Sequence, residues 1–315
     1  MACELGTSKG TWLVVALGAA LVVGFGGGGE GSGSGGTGGT GGTGGAGGMG
    51  GTGGTGGGGP ELVDVSLVFE GRVGNEVFDC GTTYTAGSAA TEVRISDFRL
   101  YVHDVHLLRK DGSAVPVELE QDGLWQHENL ALLDFENKAG ACANGTSETN
   151  HVIRGRVPNT SYTGVAFKVG VPFALNHGDA AAAPSPLNLS ALFWNWNGGY
   201  KFLRVDAAPT AGGGAFNVHI GSTGCTEDGE GKVTACDRAN RPEVQLTDFD
   251  PLAGTIVVDY AALVAENDLA QNMGGAPGCM AGFDDPECAG VMGRLGIHVD
   301  DGSVHPEEQK LFTLE

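Results

Sequence analysis

Apolar and polar residues alternate with a period of two along much of the chain beyond residue 60. Val63, Val65, Leu67 and Phe69 interleave with Asp64, Ser66 and Glu70, which predicts a strand with one buried face. A second alternation begins at Val93 and Ile95 and resumes in the opposite phase as Phe98, Leu100 and Val102. One extra residue near Ser96-Asp97, a β-bulge, accounts for the change of phase. Asp111-Gly112 then predicts a hairpin turn, with Val115 to Leu119 returning. Further strands are predicted over 130–135, 164–171, 200–205, 215–221, 243–249 and 255–258. Helical spacing is sparse. It predicts helices over 260–269, capped by Asp259, and over 288–295, and Leu189, Leu192, Phe193 and Trp196 have the spacing of one or two turns. Many short strands between Gly, Pro and Asn turns predict an all-β fold: an antiparallel β-sandwich with long, disulfide-pinned loops and one or two short helices.

The first 59 residues read differently. Lys9 precedes an apolar run from Trp12 to Val23, short for a bilayer span and suited to the core of an export signal. Val22-Val23-Gly24 is of the kind that precedes a lipid-bearing cysteine, but Phe25 occupies that position. Residues 26–59 are almost wholly Gly, Thr and Ser, which cannot bury apolar surface; such a linker reaches roughly 30–35 Å as a flexible coil. The expected organisation is a signal peptide or short membrane-targeting segment over 1–25, a linker over 26–59, and one large domain over 60–315. Export to the periplasm or cell envelope follows, with tethering through the N-terminal segment as one form of it.

Thirty-eight acidic against 17 basic residues give a formal net charge of -21. That balance repels nucleic acid and anionic lipid, and attracts cations or basic partner surfaces. Beyond Cys3, which precedes the apolar run, six cysteines remain: Cys80, Cys142, Cys225, Cys236, Cys279 and Cys288. An even number in an exported chain predicts disulfides. Cys225 with Cys236 and Cys279 with Cys288 close short local loops, which leaves Cys80 for Cys142. Neither local spacing matches the Cys-x-x-Cys pattern of zinc sites.

Candidate chemistry concentrates between Pro172 and Cys225. Trp194 and Trp196 flank Asn195 and are followed by Asn197-Gly198-Gly199, and His219 lies six residues before Cys225. Of eight histidines, His177 sits in a turn-like loop, and His219 alternates with Val218 and Ile220 so that it faces away from its strand's core side. Imidazole is a good ligand for copper, zinc or nickel. His103 and His106, three apart on a strand, are expected on opposite faces. Indole nitrogen is donor-only and ligates no metal, whereas ring-opening to kynurenine supplies an aryl amine and a carbonyl. Ser222 lacks the spacing of a hydrolase nucleophile elbow, and no Cys-x-x-Cys-His haem motif occurs. Asp284-Asp285-Pro286-Glu287 and Asp300-Asp301-Gly302-Ser303 offer oxygen ligands for calcium, without the spacing of an EF-hand.

Several segments, in order, resemble the MbnP-type proteins, the metallo-mystery pair system four-Cys motif family. They are Ile95-Ser96-Asp97-Phe98-Arg99-Leu100-Tyr101-Val102, Ala131 to Glu136, Gly170-Val171-Pro172-Phe173 with Asn176-His177, Phe193-Trp194-Asn195-Trp196 with Gly199-Tyr200-Lys201-Phe202, His219 to Cys225, and Gly278-Cys279-Met280. The resemblance implies an exported, β-rich copper-binding protein that is no enzyme itself. It implies a partner related to diheme cytochrome c peroxidases, which oxidises a tryptophan to the kynurenine that helps form the copper site. Trp194 or Trp196 is then the modified residue, His177 and His219 the candidate ligands, and His103 a third. The family's four cysteines fall among the six here. A contrasting reading is a non-catalytic surface or adhesion domain on a glycine stalk, held by disulfides and calcium.

Overall fold

A computed structural model describes residues 60–195 and 197–315. The expected export segment, the linker and Trp196 lie outside the described residues.

Two main sheets face each other. In the first, Leu62–Val73 pairs antiparallel with Val152–Pro158 and parallel with Thr255–Asp259, which in turn pairs with Phe312–Leu314. The second is organised on the 18-residue strand Thr91–Leu108, flanked by Gly164–Val169 and Leu203–Pro209, with Phe216–Ile220 beyond the latter. The alternation read in Leu62–Val73 is realised: Val65, Leu67 and Phe69 are buried while Asp64 and Ser66 are exposed. Phe69 and Phe312 of one sheet meet Phe167 of the other edge-on, at 5.8 and 5.0 Å between ring centroids. Those contacts mark the sandwich core. The pairing is mostly antiparallel, but Leu62–Val73 with Thr255–Asp259 and Phe216–Ile220 with Gly278–Cys279 run parallel.

The bulge is where the change of phase puts it. Asp206 pairs with Asp97 and Ala207 with Ile95, so Ser96 is the extra residue. Asp111-Gly112 turns the predicted hairpin, with Gly112 at a positive φ. A second irregularity corrects the reading of the paired histidines. His103 and His106 stand opposite Lys168 and Ala166, which are two residues apart and therefore on one face of their strand. Asp104, at φ 56°, absorbs the odd residue, so both imidazoles share a face.

The helices are shorter or shifted. Asp259 caps the first as expected, accepting from the Ala261 amide at 2.9 Å, but the helix is only Tyr260–Leu263. The chain leaves it to bury Asn267, whose amide donates to the Glu287 carbonyl at 2.8 Å. The last helix, Pro286–Arg294, begins two residues earlier than predicted, with Asp285 accepting from the Glu287 amide. All six cysteines pair as the loops suggest: Cys80–Cys142, Cys225–Cys236 and Cys279–Cys288.

Candidate metal centre

The tryptophan segment is a tight hairpin. After a single turn at Ser190–Leu192, Phe193–Asn195 pairs with Gly199–Tyr200. The Asn195 side chain accepts the Gly198 amide at 2.7 Å, and the Tyr200 hydroxyl donates to the Leu187 carbonyl at 2.6 Å. Gly199 has φ +74°, and a Cβ there would fall 2.4 Å from the Asn176 carboxamide. Only glycine lets the hairpin sit this close to Asn176, whose oxygen accepts the Tyr200 amide at 3.0 Å.

Trp194 is half-buried in this hairpin. Its ring lies on Gly221, where a Cβ would come within 2.5 Å of Cζ3. The indole is 6.4 Å from the His219 ring, centroid to centroid. Asn240 holds the floor of this contact by donating to the Gly221 carbonyl at 2.8 Å.

His219 projects from the face opposite its strand's apolar residues, as the alternation predicts. It is nevertheless buried, at 6% exposure, because the hairpin folds over that face. Its Nε2 is 2.5 Å from Asp206 Oδ1. Arg204 binds the other oxygen of Asp206 and reaches Asp97 at 3.2 Å, and Asp97 pairs with the buried Arg99. The cross-strand register accounts for this row, since Arg204 stands opposite both Arg99 and His219. Burial opposes ionisation of Asp206, but hydrogen bonds from His219 and Arg204 outweigh it and bring its pKa down to about 2. A carboxylate so fixed orients the imidazole. The other nitrogen, Nδ1, is buried and has no hydrogen-bond partner, which is uncommon for a buried polar atom.

His177 follows the short helix Phe173–Asn176. Its Nε2 is 3.1 Å from the Asn176 amide nitrogen and 3.6 Å from Cys236 Sγ. Asn176 therefore ties His177 to the tryptophan hairpin, and the disulfide hairpin Thr223–Glu227 and Val233–Arg238 lies against it. His177, Cys225 and Cys236 place potential ligand atoms within 4.8 Å of one another. Both sulfurs are spent in a disulfide, so only the imidazole is a competent ligand there, because thiolates bind metals and disulfides do not. A depression of about 660 Å³ opens beside it, lined by His177, Asp179, Asn188, Phe193 and Asn195.

Trp194 and His219 are thus brought together, and His177 is joined to them through Asn176 and the hairpin. His103 is held elsewhere in the hydrogen-bond network: its Nδ1 bonds to the Gly170 carbonyl at 2.8 Å. Burial, only partly opposed by that bond, pushes its pKa down to about 4. Among the described residues, neither His103 nor His219 belongs to a group of three metal donors. The acidic loops have structural duties: Asp285 caps a helix, Glu287 accepts the Met273 amide, and Asp301 accepts the Ser303 amide. Asp206 and Arg204 escaped the sequence reading, and Asn176 and Gly221 stood in the resembling segments without an assigned role. Arg204 and Asp206 carried a usable signal, two charges at period two at the end of the predicted strand over 200–205.

The family model of MbnP matches residues 63–281. The fold is also that of a solved structure, MbnP from Methylosinus trichosporium, at TM-score 0.72 and 28% sequence identity, covering 81% of this chain and 98% of that one. No curated protein sequence matches this chain.

Proposed function

This chain belongs to the MbnP family, and from that premise we propose that it is an exported copper-binding protein whose Trp194 is oxidised to kynurenine by a diheme, peroxidase-like partner. The observation that carries the reading is the unpartnered Nδ1 of His219 beside the Trp194 ring. Asp206 accepts a hydrogen bond from the Nε2–H, which leaves the Nδ1 lone pair for a metal; metal-bound histidines are commonly held by a carboxylate in this way. An imidazole-rich site without thiolate suits copper as well as zinc or nickel, and divalent copper binds most tightly of these.

The contact of its indole with the His219 ring nominates Trp194 as the modified residue. Its indole has no lone pair to offer, and opening of the ring supplies an amine and a ketone beside His219. Bound copper would be held by His219, by His177 and by the modified Trp194. Asp206 and Arg204 orient the first imidazole, and Asn176 sets the second against the hairpin. Trp194 is half-buried rather than sealed in the core, which shortens the path for electron transfer to an external oxidant. The depression lined by His177 and Phe193 is the face on which that partner docks, and the chain's negative charge steers a basic partner surface to it. In this reading the protein is the substrate of its partner and performs no turnover itself.

The test is coexpression with the partner followed by copper analysis of the purified chain. Copper copurifies with the wild type and is lost from the His177→Ala, His219→Ala double variant. Unchanged copper loading in that variant overturns the ligand choice.

A further inference from the structure

A second cluster of metal donors lies on the C-terminal segment, beyond residue 281 where the family match ends. His298, His305 and Glu308 place one ligand atom each within 4.8 Å of one another. His298 Nε2 is 2.8 Å from Glu308 Oε2. The two imidazoles lie nearly parallel, 4.1 Å between centroids and 20° between planes; their nitrogens stand side by side, and the rings tilt apart to aim both in-plane lone pairs at one ion.

The backbone fixes this arrangement. Ile297 and Val304 form an antiparallel bridge, the His298 amide donates to Ser303 at 3.0 Å, and the Gly302 amide returns to His298 at 2.8 Å. The His305 amide donates to the Gly296 carbonyl at 2.7 Å, and the Glu308 amide to the His305 carbonyl at 3.0 Å. Gly296 has φ +72°, and a Cβ there would fall 2.3 Å from the His305 oxygen, so only glycine allows this register. Arg238 anchors the turn from outside by donating to the Asp300 carbonyl at 2.7 Å.

We propose that His298, His305 and Glu308 form a second, surface metal site for one divalent ion of the zinc, copper and nickel class, separate from the tryptophan centre. Two imidazoles with one carboxylate select these ions over calcium or magnesium, which prefer all-oxygen shells. His298 Nε2 and Glu308 Oε2 stand 2.8 Å apart, whereas bonds of about 2.0–2.2 Å put adjacent donors around such an ion roughly 3.0–3.4 Å apart, so a small outward shift of these exposed side chains admits it. The ion replaces the hydrogen bonds His298 makes to Glu308 and His305 makes to Ser303. Glu307, 3.7 Å from His305 Nδ1, adds negative charge at the rim, and water completes the shell.

The experiment is a zinc titration of the purified, metal-free chain against a chromophoric chelator, made without the partner and in a His177→Gln, His219→Gln background. That background separates this site from the proposed copper centre. One equivalent of zinc is expected, with affinity falling at least tenfold in His298→Gln and in Glu308→Gln. Both side chains are exposed, and circular dichroism checks that the fold is kept. Absence of zinc binding in the background chain, or affinity unchanged from the background in either further variant, overturns the proposal.

Discussion

Gly221→Ala is the substitution that interrogates the tryptophan centre most sharply. The added methyl would sit 2.5 Å from Trp194 Cζ3 and 2.6 Å from the Tyr200 carbonyl oxygen. Ordinary contact for a Cβ begins at 3.4 Å, so each neighbour must retreat by close to an ångström. The carbonyl belongs to the main chain of the hairpin, and it cannot move without its partners. The indole is the side that can move. Overpacking of this kind costs about 1–3 kcal/mol, which lowers Tm by roughly 2–12 °C in a domain of this size. Gly293→Ala is the matched control. It lies in the helix Pro286–Arg294 with nothing within 4 Å, and it should stabilise by about 0.5–1 kcal/mol. Thermal unfolding followed by tryptophan fluorescence reads both. On coexpression with the proposed diheme partner, Gly221→Ala should also reduce the proposed conversion of Trp194 to kynurenine. A Gly221→Ala protein with wild-type Tm and unaltered fluorescence would refute the placement of Trp194 on Gly221, and the case for its proximity to His219 with it.

Two other outcomes follow from the scaffold. Cys80 and Cys142 are 62 residues apart in sequence and Cys279 and Cys288 only 9, so chain entropy predicts losses of about 4 and about 3 kcal/mol for the respective double serine variants; denaturant unfolding that reverses the order counts against it. His103, held at a pKa of about 4 in the fold against about 6.5 unfolded, stays neutral while the unfolded chain takes up a proton. Stability therefore falls as pH drops from about 6.5 towards 4, by about 2 kcal/mol at pH 5. His103→Gln should flatten that part of the pH–stability curve, and parallel curves for the two proteins would refute it.

The strands carried most of the legible signal, because one face of each meets a core and the other meets water. Val65-Ser66-Leu67 shows it plainly, and the Ser96 bulge was readable as a change of phase. Val152–Pro158 alternates as well, with Ile153 and Val157 buried between exposed arginines, yet its charges and central glycine masked it. What could not be read is what other segments impose. His219 has the sequence signature of an exposed outer-face residue, and it is buried because a hairpin some 20 residues upstream covers it. The shared face of His103 and His106 depends on Asp104 adopting a positive φ, which no periodicity reveals. Asp206 meets His219 only through strand register. The parallel pairing of Thr255–Asp259 depends on a return across the whole domain. The tryptophans and histidines of the centre were visible as residue types, and the contact of Trp194 with Gly221 was a matter of packing.

The most direct measurement is tandem mass analysis of the peptide spanning residues 187–201, from chain coexpressed with the proposed diheme partner, paired with metal content. The account predicts tryptophan-to-kynurenine conversion at Trp194, with Trp196 unchanged and copper bound in proportion to the converted fraction. An unmodified Trp194 in copper-loaded protein, or conversion confined to Trp196, would contradict it.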